Sequence, residues 1–379
     1  MRRRFGLYRD EISSIFAVSK RLRPRIFNLD LHIGVIADLA QEFSELNIPI
    51  TQWSISGSNH LVQGRLPVSD PVRFINQKFW RELGPDVIGK FQSRYSRFLS
   101  TFDGYVCTYS PTFAELFGVF EKPILVVAAT RYEAPYTARP DDWARFNDFL
   151  IDAVNRKQIT IAANNSGDAD YLTFFTGLKP QVVPSLCEKP TFREAPNEFR
   201  FILGGDSRLV HSIETASGNN YRRLASPYKW ETLAGCVEVL VFPQNISTMT
   251  LFELATAGVP VAVPSRHWIK ELRKEGSRVL AECSFYELEN LPVTGLSEDN
   301  PNNYRSSKYL DWWLDRADFL DNTLMPNVRI VNSIDELMNR PSLRSGPNSL
   351  RGHNSIVETR NSHLRQQRQT LVRDFISRL

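Results

Sequence analysis

Residues Val237–Ser265 read VEVLVFPQNISTMTLFELATAGVPVAVPS, and this stretch decides the predicted fold. The apolar run Val239–Phe242 ends at a proline, a polar loop follows, and Pro260 opens a second apolar run, Val261–Val263. Short apolar runs bounded by proline and glycine are typical of buried parallel strands. The stretch therefore predicts strand, loop, short helix and strand, which is half of an α/β unit with a parallel sheet.

The polar loop after the first of these strands is the candidate ligand-binding segment. In open parallel sheets, ligands bind outside the carboxyl ends of the strands, where helix N-termini offer N–H groups to phosphate. Ser247, Thr248, Met249 and Thr250 fall at that position in the pattern. We therefore expect these four residues to face a phosphate group.

The same stretch carries a family resemblance. Its residue order, P-x-x-x-S from Pro243 and then E-L-x-T-x-G-V-P-V from Glu253, resembles the sugar-nucleotide half of the GT-B glycosyltransferases. The resemblance implies an α/β fold of two Rossmann-like domains that face a cleft. It also implies that loop amides hold the diphosphate of a nucleotide-sugar, and that Glu253 accepts hydrogen bonds from the ribose hydroxyls.

Glu253 also has a purely structural explanation. Thr250 and Glu253 fit the pattern S/T-x-x-E of a capping box, in which two side chains bond to backbone N–H groups at a helix N-terminus. A cap and a ribose contact are compatible, so the sequence leaves both roles open.

The chain length of 379 residues predicts two domains, because single hydrophobic cores rarely grow beyond about 250 to 300 residues. We expect a basic N-terminal segment over residues 1–24 and a Rossmann-like acceptor domain over residues 25–190. A Rossmann-like nucleotide-sugar domain is expected over residues 198–340, followed by a basic tail and C-terminal helix over residues 341–379.

Strand and helix patterns alternate through the first half of the chain, which argues for a parallel sheet. Arg25–Leu31 and Ile50–Ile55 are the first two expected strands, with an amphipathic helix between them. This opening resembles that of many GT-B enzymes, although Asn47 and Ile48 stand where those enzymes have Gly and His. The resemblance further implies that a C-terminal helix, expected over Ile356–Leu379, crosses back to the first domain.

His32 is the candidate catalytic residue. It follows the first predicted strand directly, and in the resembled family inverting enzymes often place at this point a base that deprotonates the acceptor hydroxyl. Histidine suits that role because its pKa lies near neutral pH. A structural role near a strand end is the alternative, in which case Asp30 or Asp38 would be the candidate base.

Three residues of the second predicted domain are candidates for donor contacts. Gly205 follows a predicted strand, where a glycine lets the backbone approach a phosphate. Arg208 comes soon after it and could bind that phosphate. The resemblance places Tyr228 where related enzymes bind the base of the nucleotide.

Two sets of charged residues have competing explanations. Arg131 follows a buried strand and could hold the donor phosphates with two hydrogen bonds, but an ion pair with Glu133 or Asp141 is an equal alternative. Asp168 and Asp170 form D-x-D, a pattern that can hold Mn²⁺ or Mg²⁺, yet acids are also favoured at the helix start predicted here. We expect no metal and no cofactor.

The charge pattern bears on partners and location. The net charge of +4 implies no global attraction to nucleic acid, but arginines crowd residues 2–25 and the tail from Arg340. We expect solvated surface there, with a peripheral contact to an anionic membrane surface as the alternative. The four cysteines are far apart and the chain has no run of eighteen apolar residues, which favours a cytoplasmic protein.

The expected activity is transfer of a sugar from a nucleotide-sugar to a hydroxyl acceptor, a glycan or a glycolipid, without a metal. A nucleotide-sugar epimerase of the same fold and a catalytically inactive nucleotide-sugar-binding protein are the alternatives. Asn245 stands where the family has the first glutamate of E-x₇-E, which favours inversion of configuration over retention.

Overall fold

The computed structural model describes residues 23–31, 33–55, 75, 80–186, 199–224, 228, 232–233, 235–325, 328–339 and 347–379. His32 lies outside this described part, and so does the segment 187–198 that contains the predicted domain boundary.

The described strands, in chain order, are β1 (Ile26–Asp30), β2 (Ile50–Ser54), β3 (Gly104–Tyr109), β4 (Ile124–Ala128), β5 (Ile159–Ala163), β6 (Gln181–Val182), β7 (Arg200–Gly204), β8 (Tyr221–Arg223), β9 (Glu238–Phe242), β10 (Val261–Pro264) and β11 (Val328–Val331). The two strands expected from residues 237–265 are therefore present as β9 and β10.

These strands form two sheets. The first has the order β2-β1-β3-β4-β5-β6 and the second the order β8-β7-β9-β10-β11. The pairs β1–β2, β1–β3 and β5–β6 are parallel, and so is each neighbouring pair of the second sheet. The second sheet repeats the order of the first five strands, which is the 2-1-3-4-5 order of doubly wound folds. The predicted α/β fold with two Rossmann-like sheets is thus confirmed.

The described α-helices are Ile33–Glu45, Pro85–Leu99, Pro140–Asn155, Ser166–Thr176, Ser207–Ala216, Met249–Thr256, Arg266–Lys274, Phe285–Leu288, Tyr309–Leu314, Ile334–Asn339 and Pro347–Ile376. Short 3₁₀ helices occupy Trp80–Glu82, Pro111–Leu116, Gly118–Phe120, Ala281–Cys283 and Asp318–Leu320.

Contacts between residues divide the chain into two compact units. One unit takes its residues from Met1–Val127, Ala144–Ile161 and Arg368–Leu379, and the other from Ala128–Trp143 and Ala162–Gln367. The strands of the first sheet fall within residues 26–182 and those of the second within residues 200–331. The domain boundaries at residues 190 and 198 stay a prediction.

The first unit has an aromatic core beneath its sheet. Phe27 of β1 is fully buried, and its ring centroid lies 5.8 Å from that of Phe98, 5.2 Å from Phe102 and 5.9 Å from Phe117. Rings at such distances add packing energy beyond the area they bury. This cluster explains why β1 is buried even though it carries only a short apolar run.

The C-terminal helix is longer than the sequence suggests, and its last turns belong to the first unit. The helix runs over Pro347–Ile376. Within the first unit, the buried guanidinium of Arg368 lies 3.2 Å from the carboxylate of Asp38, and the Phe375 ring packs edge-on against Phe43 at 6.2 Å. The predicted return of the helix to the N-terminal part of the chain is therefore confirmed.

A buried carboxylate joins three strands of the second sheet. Glu238, the first residue of β9, is fully buried and accepts two hydrogen bonds from Arg329 of β11, at 2.9 and 2.6 Å. Its carboxylate also accepts a hydrogen bond from the Tyr221 hydroxyl of β8, at 2.5 Å. Since β7 and β10 separate these strands, the contacts link strands that are not paired with one another.

No helix among the described residues has the length and apolar character needed to cross a membrane.

We expect Arg329→Met to lower the free energy of unfolding by about 3 kcal/mol or more, because it leaves the buried Glu238 carboxylate without its cation. The double variant Glu238→Leu with Arg329→Met should lose less, since neither charge remains buried. Urea unfolding followed by circular dichroism measures both values. A double variant that is no more stable than the single one would show that packing, and not charge, holds these strands.

Candidate functional site

The order of the second sheet reverses between β7 and β9. In doubly wound sheets, ligands bind at such a switch point, outside the carboxyl ends of the strands. Strand β7 ends at Gly204, and Gly205 follows it, whereas the loop of residues 243–248 follows β9. Gly205 and the predicted phosphate-facing residues Ser247–Thr250 therefore occupy the same edge of the sheet.

Two glycines allow the close approach of the chain at this switch point. Gly204 and Gly205 have φ values of 78° and 75°, which glycine adopts readily and other residues rarely do. A Cβ atom at Gly204 would collide with the carbonyl oxygen of Phe242 at the end of β9. The glycine pair thus permits the tight packing of β7 against β9 where a ligand would bind.

The helix that follows the loop begins at the switch point. It runs over Met249–Thr256, with Thr248 as its N-cap residue. The Thr248 hydroxyl donates to the Asn245 carbonyl within the loop, at 3.2 Å, and makes no capping hydrogen bond to the helix. A helix N-terminus favours an anion through its backbone N–H groups and its dipole. This geometry suits a phosphate.

The capping-box explanation of Glu253 is wrong. The helix begins at Met249, so Thr250 lies inside its first turn and cannot be the cap. Instead, Thr250 hydrogen bonds with the Tyr228 hydroxyl, and the Glu253 carboxylate lies close enough to affect the same phenol. Burial and the Glu253 charge together raise the pKa of Tyr228. Three of the predicted donor-site residues are thereby brought together.

The candidate cations near Gly205 make contacts of their own. Arg208 donates to the Glu275 carbonyl at 2.6 Å on an exposed surface, so its predicted phosphate contact stays a prediction. Arg223, which the sequence analysis missed, donates to the Gly205 carbonyl at 3.1 Å and is exposed. Arg223 ends β8, next to the strand that ends at Gly204, and the sequence analysis did not predict β8.

Arg131 lies in a buried ion-pair cluster. Its guanidinium is fully buried, lies 2.5 Å from the Asp168 carboxylate and donates to the Cys283 carbonyl at 3.2 Å. The Trp313 ring covers it at 4.5 Å. Burial alone would lower the pKa of Arg131, but the neighbouring carboxylates of Asp168 and Glu133 raise it, so the guanidinium stays charged. The phosphate contact proposed for Arg131 stays a prediction.

The D-x-D residues are engaged in ion pairs within this part of the chain. Asp168 pairs with Arg131, and Asp170 lies 2.7 Å from Arg316. The Asn165 side chain accepts from the Asp168 N–H at 2.7 Å and so starts the helix at Ser166. Among the described residues, no group of three or more His, Cys, Asp or Glu side chains is arranged to hold a metal ion.

Two buried carboxyls near this cluster have raised pKa values. Burial raises the pKa of Glu133 to about 7, although the Tyr171 hydroxyl donates to it at 2.7 Å and opposes the rise. Burial also raises the pKa of Asp318 to about 7, opposed by a hydrogen bond with Ser247 of the loop. The sequence analysis did not identify Asp318, because Asp315 and Asp321 lie close to it in the chain and no motif distinguishes one of these acids from the others.

His32, the candidate base, lies outside the described residues. Its substitute Asp38 is buried and paired with Arg368. That pairing makes Asp38 a poor acceptor of the proton from a hydroxyl group.

The fold and this edge of the second sheet define an α/β protein of two doubly wound sheets with a candidate anion site at a switch point. No protein-family model matches the sequence, and no curated protein matches it either.

Several solved structures are similar in architecture at low identity. The glycotransferase of kitacinnamycin is 10% identical, with a TM-score of 0.47 over 93% of this chain and 99% of that one. VinC, a glycosyltransferase in complex with DTDP, is 12% identical, with a TM-score of 0.40, and the match covers 93% of this chain and 100% of VinC. The UDP-GlcNAc 2-epimerase from Neisseria meningitidis, bound to UDP-GlcNAc, is 9% identical, with a TM-score of 0.42, and the match covers 66% of this chain and 84% of the epimerase. These are distant similarities.

The raised pKa of Glu133 has a consequence for stability. Its ordinary pKa is 4.5, so between about pH 5 and pH 7 the folded state holds a proton that the unfolded state has lost. We therefore expect the free energy of unfolding to fall with rising pH in this window, with a contribution on the order of 1 kcal/mol per pH unit. Glu133→Gln should remove that contribution.

Urea unfolding at several pH values measures the slope. Glu358→Gln, which changes an exposed glutamate on the C-terminal helix, is the matched control and should leave the slope unchanged. A Glu133→Gln variant with the wild-type slope would contradict the assignment.

Proposed function

We propose that the protein transfers a sugar from a nucleotide-sugar donor to a hydroxyl acceptor, a glycan or lipid-linked glycan, without a metal. One observation carries the proposal: the glycine pair, the loop of residues 243–248 and the start of the helix Met249–Thr256 meet at the switch point of the second sheet. That is the position at which doubly wound folds bind phosphate-containing ligands.

The proposal assigns each donor contact to a residue at or near this switch point. The backbone of Ser247–Thr250 faces the diphosphate, and the N-terminus of the helix stabilises the negative charge that grows on the departing nucleoside diphosphate. Glu253 accepts hydrogen bonds from the ribose hydroxyls, and Tyr228 lies on the side of the base. The exposed guanidinium of Arg223 adds a cation beside Gly205.

The metal-independent mechanism is supported by the ion pairs of Asp168 and Asp170. A carboxylate that is paired with an arginine holds a divalent cation less readily, because the cation must compete with the guanidinium. The helix N-terminus and the arginines would then neutralise the diphosphate in place of a metal.

The donor site is tested by binding. We expect at least one of UDP, dTDP, GDP and ADP, or a sugar derivative of one, to raise the melting temperature, because a ligand that binds only the folded state stabilises it. Glu253→Gln should weaken that binding by about 1.5 to 3 kcal/mol, since a charge-assisted hydrogen bond is lost. Calorimetric titration gives the affinities, with Glu358→Gln as the exposed control.

Unchanged affinity in Glu253→Gln would remove Glu253 from the donor site. Stabilisation by none of the four nucleotides or their sugars would overturn the proposed function. If a donor binds, release of nucleotide that depends on an added acceptor separates a transferase from an epimerase or an inactive binding protein.

His32 is the proposed base for the acceptor hydroxyl, because it stands two residues after the end of β1 and immediately before the helix that begins at Ile33. We expect His32→Ala to lower turnover by at least about a hundredfold with donor affinity nearly unchanged, since proton transfer occurs only in the transition state. Single-turnover rates alongside donor titrations separate the two effects. His363→Ala, an exposed histidine on the C-terminal helix, is the control, and a His32 variant within about tenfold of wild-type turnover would exclude this role.

A further inference from the structure

The loop of residues 243–248 is held by a later segment of the same unit, residues 280–283. Three consecutive loop residues contact this segment. The contacts are a hydrogen bond from the Leu280 N–H to the Pro243 carbonyl at 3.0 Å, one from the Glu282 N–H to the Gln244 carbonyl at 2.9 Å, and one from the Cys283 thiol to Asn245 Oδ1 at 3.8 Å. The conformation of the loop therefore depends on where this segment lies.

Ile246 of the loop rests on two further segments. Its side chain is fully buried, and a Cβ atom added at Gly167, in the first turn of the helix Ser166–Thr176, would collide with it. Its carbonyl accepts a hydrogen bond from the Asp318 N–H at 3.0 Å, in the turn that follows the helix Tyr309–Leu314. Three segments that are far apart in the chain thus support the loop.

Arg131 contacts each of these supports or the helix that leads into it. Its guanidinium donates to the Cys283 carbonyl at 3.2 Å and lies 2.5 Å from the carboxylate of Asp168, which follows Gly167. The ring of Trp313, in the helix before the Asp318 turn, covers it at 4.5 Å. A guanidinium holds several acceptors at once because its donors form a rigid fork. Since Arg131 is fully buried, a ligand would reach it only if these groups moved.

We propose that Arg131 is a positioning residue for the loop of residues 243–248, acting through the Cys283 carbonyl and through Asp168. With the guanidinium in place, the supporting segments keep the loop in the conformation that offers its N–H groups to a nucleoside diphosphate. A loop already held in its bound conformation loses less conformational entropy on binding, so the affinity is higher. The proposal rests on the proposed function, because it takes the loop as the diphosphate site.

Cys283 provides a readout of this role that is separate from ligand binding. Its thiol is fully buried, so it reacts with a thiol reagent only when the segment of residues 280–283 opens locally. If Arg131 positions the loop, its loss raises the reactivity of this thiol and lowers the nucleotide affinity. If Arg131 only bound phosphate, its loss would lower the affinity and leave the thiol unreactive.

The test compares the wild type with Arg131→Met. Calorimetric titration of UDP, or of whichever of dTDP, GDP and ADP stabilises the protein, gives the affinity. Labelling with N-ethylmaleimide followed by mass spectrometry gives the reaction rate of Cys283, with the buried Cys236 of the same unit as internal reference. We expect the affinity to fall by at least about tenfold. The labelling rate of Cys283 relative to Cys236 should rise by at least about tenfold.

Arg329→Met is the matched control. It breaks the ion pair with the buried Glu238, which lies at the opposite end of β9 from the loop. It therefore lowers stability without removing a contact that supports the loop, and both readouts should stay within about twofold of the wild type. Equal effects in Arg329→Met and Arg131→Met would show that general loss of stability causes them, which would overturn the proposal.

The double variant Arg131→Met with Asp168→Leu covers the case in which Arg131→Met does not fold. Neither charge of the ion pair remains buried in it, so it should be more stable than the single variant. The bond to the Cys283 carbonyl is still missing, so the weaker binding and the faster labelling should persist. A folded double variant with wild-type affinity and wild-type labelling would contradict the positioning role.

The two readouts together separate the remaining outcomes. Lower affinity with unchanged labelling of Cys283 would assign Arg131 a direct phosphate contact and overturn positioning. Faster labelling with unchanged affinity would show that binding does not need this support, which overturns it as well. If the wild type binds none of the four nucleotides, the proposed function fails, and the labelling rates still decide whether Arg131 holds the segment of residues 280–283.

Discussion

The burial of one guanidinium, that of Arg131, constrains much of the unit that contains the candidate site. A fully buried charge is tolerated only with a counter-charge and hydrogen-bond acceptors around it. Asp168, the Cys283 carbonyl and the Trp313 ring meet that need. They bring together the start of one helix, a 3₁₀ turn and an aromatic helix. The helix start also packs against the loop, because a Cβ at Gly167 would collide with Ile246.

The strand order of the second sheet determines where the candidate anion site lies. In the second sheet, the order reverses between β7 and β9, so the connections after these two strands diverge and leave a crevice. Gly204 fits there because its backbone approaches the end of β9 too closely for a side chain. The helix that begins at Met249 then directs its N-terminus to the same crevice. Strand order and backbone geometry together create a place suited to an anion.

Several acidic residues near the loop of residues 243–248 are buried, which makes their ionisation unfavourable. Glu133, Asp168 and Asp318 are all buried, and one guanidinium, that of Arg131, forms the close ion pair in their midst. In a low-dielectric interior, neighbouring carboxylates raise one another's pKa, which keeps some of them neutral near pH 7. Neutral carboxyls can donate hydrogen bonds as well as accept them. The hydrogen bonds that this buried region can make therefore depend on which of the three carboxyl groups are protonated.

The sequence by itself determined the two strands and the loop of residues 237–265, because proline and glycine bound their apolar runs, and it placed Glu253 beside them. It left open a capping box between Thr250 and Glu253, which the structure contradicts, and it did not identify the roles of Asp168 and Asp318. Those roles depend on contacts between segments far apart in the chain, such as Arg131 and Cys283, which are 152 residues apart. Local patterns encode backbone propensity and burial, whereas the partner of a buried charge is decided only by tertiary packing.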